Sequence, residues 1–313
     1  MLSTTETDNP PNASSSPDER PPENYLQIVE EDLLTTLRFK PGSLQYGLMR
    51  SLFKKPLFHL AEFLEELDVY LATSNVASMA QLAVERLASG FSMHGTPNIP
   101  AQGPALLVAN HPGWIDSFVA LTGITRPDVF FLVGSHPTLK CLPHFKEHLI
   151  FVNTKGVTHR AEAISRVIEC LKMGKVVVIF PKGLLEPDPS LIPGAKQSIL
   201  EWNDSIGIFL NKVPETILQP ILISRMLHPQ AWGHWALTIF KGQRRRQQLA
   251  IALQFAMSLR KRTGANWKTQ VRIDFGEAIL SYDLSSTLNP REISQNLKKK
   301  MLSLLVKVYP NQA

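Results

Sequence analysis

A histidine and an aspartate lie five positions apart at His111 and Asp116, directly after an apolar run over residues 106–109. The run predicts a short buried strand, and Pro112 suits the first turn of a following helix. His111 is then expected in the strand-to-helix turn, at the open end of a sheet, where ligands bind in layered α/β folds. A carboxylate that reaches back to one imidazole nitrogen fixes the tautomer, which leaves the other nitrogen free as a base.

The spacing of this pair is weak evidence by itself. Nine histidines and ten aspartates in 313 residues predict roughly 0.3 such pairs by chance, which is the usual false-positive risk of a short motif. The neighbouring segments must therefore decide whether the pair carries chemistry.

Composition sets the class of protein. With 44% hydrophobic and 19% charged residues, the 313-residue chain can bury a sizeable core. Cys141 and Cys170 provide no disulfide framework and fit a reducing compartment. No apolar run approaches the length of a membrane-spanning helix, and the N-terminus lacks the pattern of a secretory signal. We expect a cytoplasmic protein, either free or peripheral on a membrane.

The charge is distributed unevenly along the chain. Residues 1–32 contain eight acids and one base, so the net charge of +6 leaves +13 on residues 33–313. A segment with this positive charge attracts nucleic acid, anionic lipid surfaces or phosphate-bearing molecules. A basic surface can also serve solubility alone. Nucleic acid is not an expected partner, because the chain shows no nucleic-acid-binding module.

Four segments follow from the patterns of apolar residues and helix breakers. Residues 1–24 form an acidic tail rich in Ser and Pro, and this composition predicts disorder. Residues 25–90 predict helices, with a break at Lys54, Lys55 and Pro56. Residues 91–285 alternate strands and helices, and residues 286–313 predict a C-terminal helix that packs on the same domain.

The fold class expected is therefore α/β, with a central mixed sheet flanked by helices and an N-terminal helical segment. Strands are predicted at 106–109, 129–133, 149–152, 176–180, 216–223 and 271–275. Helices are predicted at 25–37, 43–53, 57–71, 78–87, 117–123, 159–171, 196–209, 244–262 and 290–308.

A second motif follows the apolar strand predicted at 176–180. Pro181, Lys182 and Gly183 form a tight turn there, in which the glycine permits close backbone approach and the lysine supplies a cation. An ordinary strand-to-loop transition is the alternative interpretation of this turn.

Taken together, these segments resemble the glycerolipid acyltransferase family, which includes the lysophosphatidic acid acyltransferases. The resemblance covers roughly residues 91–280, in the order and spacing of the family. The matching pieces are 95–100 and 103–111 leading into the His-x4-Asp block, 150–153, 179–183, 194–195, 219–221 and 272–277.

The resemblance implies an acyltransferase that moves a fatty acyl group from acyl-CoA or acyl-ACP to a lipid hydroxyl. His111 would be the general base and Asp116 its orienting carboxylate. No cofactor or metal is implied beyond the acyl thioester co-substrate, and the expected partners are a lipid acceptor and a membrane surface. The residues expected to bind substrate are Asn110, Trp114, Thr154, Lys155, Pro181, Lys182 and Gly183, and Lys140 is a further candidate for a phosphate contact.

The chain departs from the family at positions associated there with the glycerol-phosphate acceptor. Lys182, Leu184 and Leu185 stand where the third block usually has Glu, Thr and Arg, and Thr154 stands where the second block usually ends in Arg. The sequence therefore does not identify the acceptor lipid. The alternative function is a catalytically altered protein of the same fold that binds lipid or acyl chains without turnover.

Two other features invite interpretation. Cys141, His144 and His148, with His136 nearby, have spacing similar to that of zinc ligands, but Pro143 intrudes and no second cysteine pair exists. For a membrane surface, the candidates are Lys54 and Lys55 beside the apolar residues 52–53, the stripe over 57–71, and the basic residues Lys241 and 244–246.

Overall fold

A computed structural model describes residues 19–95, 99, 101–153, 157–258, 267–280 and 289–312. The helices of this part are α1 (Tyr25–Thr36), α2 (Leu44–Ala72), α3 (Val76–Leu87), α4 (Asp116–Val119), α5 (Pro137–Lys140), α6 (Val157–Lys172), α7 (Ala195–Leu200), α8 (Ser205–Lys212), α9 (Pro229–Trp232), α10 (Gln243–Ser258) and α11 (Pro290–Val308). Its strands are β1 (Gly90–His94), β2 (Ala105–Ala109), β3 (Val129–Gly134), β4 (Leu149–Val152), β5 (Val176–Ile179), β6 (Ile217–Ser224), β7 (Gln270–Phe275) and β8 (Ile279–Leu280).

The strands form one mixed sheet in the order β1-β7-β6-β2-β5-β3-β4, and β8 also pairs with β6. The pairs that β6 makes with β7 and β8 are antiparallel, and the other pairs are parallel. Strand β2 lies between β6 and β5 and is parallel to both. The segments that follow these three strands therefore meet at the carboxyl end of the sheet. The predicted fold class is confirmed.

Apolar side chains of the central strands alternate between two cores. Leu107 and Ala109 of β2 face a core covered by α2 and α3, whereas Leu106 and Val108 face a core covered by α6 and α11. This period-2 alternation is the expected behaviour of a strand that is buried on both faces. It fixes the register of β2, and therefore the point at which the chain leaves the sheet before His111.

The sequence predicted six of the strands in place but missed β1 and β8. Residues 90–94 are mostly half-exposed or exposed, and their pattern is weak because β1 lies at the edge of the described sheet, next to β7. The predicted tail over residues 1–24 lies largely outside the described residues.

The predicted break in the second helix was wrong. Helix α2 runs through Pro56 as one element from Leu44 to Ala72, and Ser43 caps it by accepting a hydrogen bond from the Tyr46 N–H at 3.2 Å. A proline inside a helix costs about 3 kcal/mol. Burial of Leu57 and partial burial of Phe53 on either side of Pro56 offset that cost.

The single helix predicted over residues 196–209 is also corrected, because α7 and α8 are separate. The chain turns at Trp202, whose indole N–H donates to the buried carboxylate of Glu186 at 3.0 Å. The Asn203 side chain accepts the Ser205 N–H at 3.1 Å. Such a local side-chain bond competes with continuation of a helix.

None of the described helices has the length and apolarity that crossing a membrane requires.

Candidate active site

His111 and Asp116 are in direct contact. The His111 Nδ1 lies 2.8 Å from the Asp116 Oδ2, which also accepts the backbone N–H of Gly113 at 2.7 Å. Asp116 is fully buried at the start of α4, whereas the imidazole is 29% exposed. Since a carboxylate only accepts hydrogen bonds, Nδ1 carries the proton and Nε2 has a free lone pair. The pair is therefore arranged as a general base with its orienting carboxylate.

Gly113 makes this short contact possible. A Cβ atom at position 113 would lie 2.9 Å from the Asp116 Oδ1 and 2.9 Å from the Met226 Cε, both too close for a real side chain. The Asp116 Oδ1 is buried and has no hydrogen-bond partner among the described groups. The charge of the carboxylate is therefore balanced chiefly on the side that faces the imidazole and the Gly113 N–H.

A second buried carboxylate, which the sequence analysis missed, holds the backbone of His111. The Glu186 Oε1 accepts the His111 N–H at 3.1 Å, and the Glu186 N–H donates to the His111 carbonyl at 2.7 Å. The Glu186 Oε2 accepts from the Ser198 hydroxyl at 2.7 Å and from Trp202. Burial raises the pKa of the Glu186 carboxyl, and the hydrogen bonds from Trp202 and Ser198 oppose that rise.

Glu186 thereby joins the turn after β5 to the turn after β2. Gln247 of α10 strengthens this junction, because its side-chain amide donates to the carbonyls of Pro112 at 3.0 Å and Glu186 at 2.7 Å. The only sequence signal for Glu186 is an acid within a few residues of the Pro181 turn. That signal does not show that the side chain points inward.

A neighbouring carboxylate, Asp188, anchors the other end of this turn. It is fully buried and accepts the backbone N–H groups of Met226 at 2.7 Å, Leu227 at 3.0 Å and Arg225 at 3.1 Å. The turn after β6 is thereby fixed beside Gly113, with Arg225 in a left-handed conformation at φ 57°. Burial raises the pKa of Asp188.

Two of the predicted substrate-binding residues, Asn110 and Pro181, are buried. Asn110 is buried and pairs with the backbone of Ile223, donating to its carbonyl at 2.8 Å and accepting its N–H at 2.7 Å. These bonds extend the pairing of β2 with β6, so the Asn110 side chain is occupied by the fold. Pro181 is buried, and its carbonyl accepts the Asn203 N–H at 3.3 Å.

Lys182 lies in the turn that follows β5, which pairs with the strand that leads to His111, and forms an ion pair with Glu201. This contact lowers the pKa of the exposed Glu201 carboxyl. Gly183 has a positive φ of 64° and donates its N–H to the Phe180 carbonyl at 2.9 Å. The tight turn is present, but it uses the Gly183 N–H internally.

Aromatic side chains lie in and beside the turn that carries His111. The His111 ring lies 4.8 Å from the Phe180 ring, measured between centroids, and Trp114 lies 5.5 Å from Phe255. Trp114 also borders a cavity of about 130 Å³ between α2, α4 and β3. The apolar residues that line the cavity with it are Leu64, Leu67, Met79, Phe118, Phe131, Val133, Leu139, Leu142 and Phe145.

Two predicted residues, Thr154 and Lys155, lie outside the described residues. Lys140 sits over the ring of Phe151, 5.6 Å from its centroid, which is a cation–π contact.

The residues with zinc-like spacing do not converge. The His144 ring contacts buried Asp68 at 2.9 Å, whereas the His148 ring contacts the Val129 carbonyl at 2.9 Å and His136 contacts Asp32 at 3.2 Å. Within the described ranges no three side chains of metal-ligating type come together. The His144–Asp68 pair instead ties α2 to the segment that follows α5.

Residues 90–224, which contain both His111 and Asp116, match the model of the Acyltransferase family. This match covers less than half of the chain, and it confirms the acyltransferase class expected from the sequence at that level. Among solved structures, the chain is similar to the 1-acyl-sn-glycerophosphate (LPA) acyltransferase PlsC from Thermotoga maritima, with 17% identity and a TM-score of 0.47. That similarity covers 90% of this chain and 95% of the other. No curated protein sequence matches the chain.

Proposed function

We propose that this protein transfers a fatty acyl group from acyl-CoA or acyl-ACP to a hydroxyl of a glycerolipid or related lipid. The observation that carries the proposal is the 2.8 Å contact between the His111 Nδ1 and the buried Asp116, inside the segment that matches the Acyltransferase family. It leaves Nε2, on a partly exposed ring, to take a proton from an incoming hydroxyl.

The transfer takes place in two steps, addition and collapse. The acceptor oxygen attacks the thioester carbonyl while its proton passes to the His111 Nε2, and a carbon–oxygen bond forms. The tetrahedral intermediate collapses as the carbon–sulfur bond breaks, and the thiolate takes the proton back from the imidazolium. Asp116 stabilises the imidazolium through the Nδ1 hydrogen bond during these two steps.

The cavity beside Trp114 is our candidate for the end of the acyl chain. Its walls are apolar apart from Asp68 and Ser117, and Asp68 accepts the His144 and Phe145 backbone N–H groups at 3.1 and 2.7 Å. The charge of that carboxylate is thus compensated by the fold and leaves the cavity suitable for hydrocarbon. A volume of about 130 Å³ exceeds the space that a single buried water needs and leaves room for a few terminal carbons.

The ion pair between Lys182 and Glu201 bears on the choice of acceptor. If Lys182 sets that choice, Lys182→Gln is expected to change the ranking of acceptors at least about tenfold in kcat/KM, since a charge-assisted contact is worth about 1.5–3 kcal/mol. A screen of labelled acyl-CoA against lysophosphatidate, other lysophospholipids, monoacylglycerol and diacylglycerol measures this ranking.

Glu201→Gln is the matched control, because it breaks the same ion pair but keeps the lysine cation. An unchanged ranking in Lys182→Gln would show that Lys182 serves only the surface of the fold. Acyl-CoA binding without transfer to any acceptor would instead favour the alternative function, a lipid-binding protein without turnover.

A lipid acceptor requires contact with a membrane surface, and the start of α2 offers an apolar stripe for it. Leu44, Leu48 and Leu52 are 95%, 64% and 66% exposed at helical spacing. The predicted stripe farther along α2 is largely buried instead, with Leu57, Leu67 and Leu71 in the core. The candidate membrane surface is therefore the N-terminal half of α2, followed by Lys54 and Lys55.

Replacing Leu44, Leu48 and Leu52 together by glutamine is expected to reduce co-sedimentation with anionic liposomes at least about fivefold. The reason is the loss of apolar area that would enter the interface. Glutamine keeps helix propensity, and the three positions are exposed, so the fold should persist. Met173→Gln, at an exposed methionine far along the chain, is the control. Equal sedimentation of the triple variant and the parent chain would reject this surface.

A further inference from the structure

A cluster of arginines lies at the N-terminal end of α10, next to the turn that carries His111. Gln247, one turn into α10, donates to the Pro112 carbonyl, so this end of the helix abuts the candidate active site. Arg244 precedes Gln247 by three residues and therefore lies on the same side of the helix, about 4.5 Å nearer its start.

The loop between α1 and α2, which carries Arg38, contacts the start of α10. Phe39, the next residue, lies under the guanidinium of Arg245, 5.9 Å from ring centroid to Cζ. Partial burial, together with the charge of Arg38, lowers the pKa of Arg244. The contact of Phe39 with Arg245 thus places the exposed Arg38 beside the first turn of α10, which carries the half-buried Arg244.

Three features of this cluster oppose its stability in the absence of an anion. Arg38 and Arg244 carry like charges, and neither forms an ion pair with a carboxylate anywhere in the described part of the chain. The cations stand at the positive end of a helix dipole, whose first turn contains no acid. The Arg244 Nε is buried and lacks a hydrogen-bond partner among the described groups.

The backbone at Arg38 adds a fourth observation. Arg38 follows the end of α1 with φ 64°, a left-handed conformation that normally favours glycine at this position. The Arg38 N–H donates to the Thr35 carbonyl and the Phe39 N–H to the Leu34 carbonyl, both at 2.9 Å, which is a helix-terminating motif. Glycine would serve this motif with less strain, so the fold does not require arginine here.

We infer that Arg38, Arg244 and the N-terminus of α10 form a binding site for a phosphomonoester group of a substrate. The planar fork of guanidinium matches phosphate oxygens, and two such groups suit a doubly charged anion. The free N–H groups in the first turn of a helix complete such a site. The choice of a substrate phosphate rests on the proposed function, and the same chemistry is present on a glycerophosphate headgroup and on coenzyme A.

Isothermal titration of the full chain with glycerol 3-phosphate and with coenzyme A tests the site. At least one of the two is expected to bind the parent chain, with its Kd raised about tenfold or more in Arg38→Gly and in Arg244→Gln. Arg38→Gly suits the left-handed backbone and should not lower the thermal midpoint of unfolding. Lys299→Gln removes one exposed charge from α11, on the other face of the sheet, and should leave both Kd values unchanged.

The result identifies the source of the phosphate, because a headgroup site responds to glycerol 3-phosphate and a donor site to coenzyme A. Failure of both compounds to bind the parent chain overturns the inference, as does binding that is equal in the arginine variants. Arginine-dependent binding only to anionic vesicles, and to neither soluble compound, also overturns it.

The His111→Ala variant separates this inference from the proposed function. It should retain phosphate binding while it loses acyl transfer. If the parent chain binds one of the two compounds through these arginines but transfers no acyl group, the proposed function is rejected and the phosphate-binding site stands. If the arginine variants transfer acyl groups with the KM of the parent chain, the proposed function stands and the phosphate-binding site is rejected.

Discussion

Replacement of His111 by alanine is expected to lower kcat for acyl transfer by about 10²–10⁴, because the general base is lost. The fold should persist, since the ring is partly exposed and the backbone bonds of His111 to Glu186 do not use it. Steady-state kinetics with labelled acyl-CoA measures the loss, and circular dichroism checks the fold.

Asp116→Asn is the companion variant for the same prediction. It keeps the shape of the side chain but removes the charge that stabilises the imidazolium, so kcat should fall while KM changes little. If both variants turn over at the parent rate, the pair has no part in the reaction. If only His111→Ala is impaired, Asp116 serves the fold and not the base.

Glu186→Gln is expected to destabilise the protein by about 1–3 kcal/mol, the cost of one unpaired buried donor. The carboxylate accepts from His111 on one oxygen and from Ser198 and Trp202 on the other. A glutamine side chain must turn its NH₂ group towards one of these donors, so a hydrogen bond is lost in either orientation. Denaturant unfolding measures the change in free energy.

The same substitution should also lower kcat about tenfold to a hundredfold with little change in KM, because the His111 backbone would shift. Ser198→Ala is the matched control, since it removes one donor but leaves the bond from Glu186 to the His111 N–H. A Glu186→Gln protein that is less stable but keeps the parent kcat, measured where it is fully folded, would show that Glu186 acts on stability alone.

The sequence was most informative where the apolar pattern is local. The six strongly apolar strands are found where the pattern predicts them, because strands buried on both faces are continuous apolar runs. The turn at His111 followed from the end of one such strand. Helix α2 differed from its prediction, which had a break at Pro56. Packing of the residues on both sides of Pro56 overrides that local helix-breaking signal.

The supporting contacts of the site depend on residues far apart in the chain, so no local pattern reveals them. Asn110 contacts Ile223 across 113 positions, and Glu186 contacts the His111 backbone across 75. Lys182 had been expected to face a substrate, and the structure shows that Glu201 is within reach of it. The types of these residues were visible in the sequence, but the directions of their side chains were not.

The central claim is that His111 activates a lipid hydroxyl for attack on an acyl thioester. The most direct test is a single-turnover assay in which the parent chain and His111→Ala are mixed with labelled acyl-CoA and a set of lysolipid acceptors. We predict a labelled lipid ester with the parent chain and none above background with His111→Ala. An equal yield of ester from both proteins, or none from the parent chain with any acceptor, would contradict the claim.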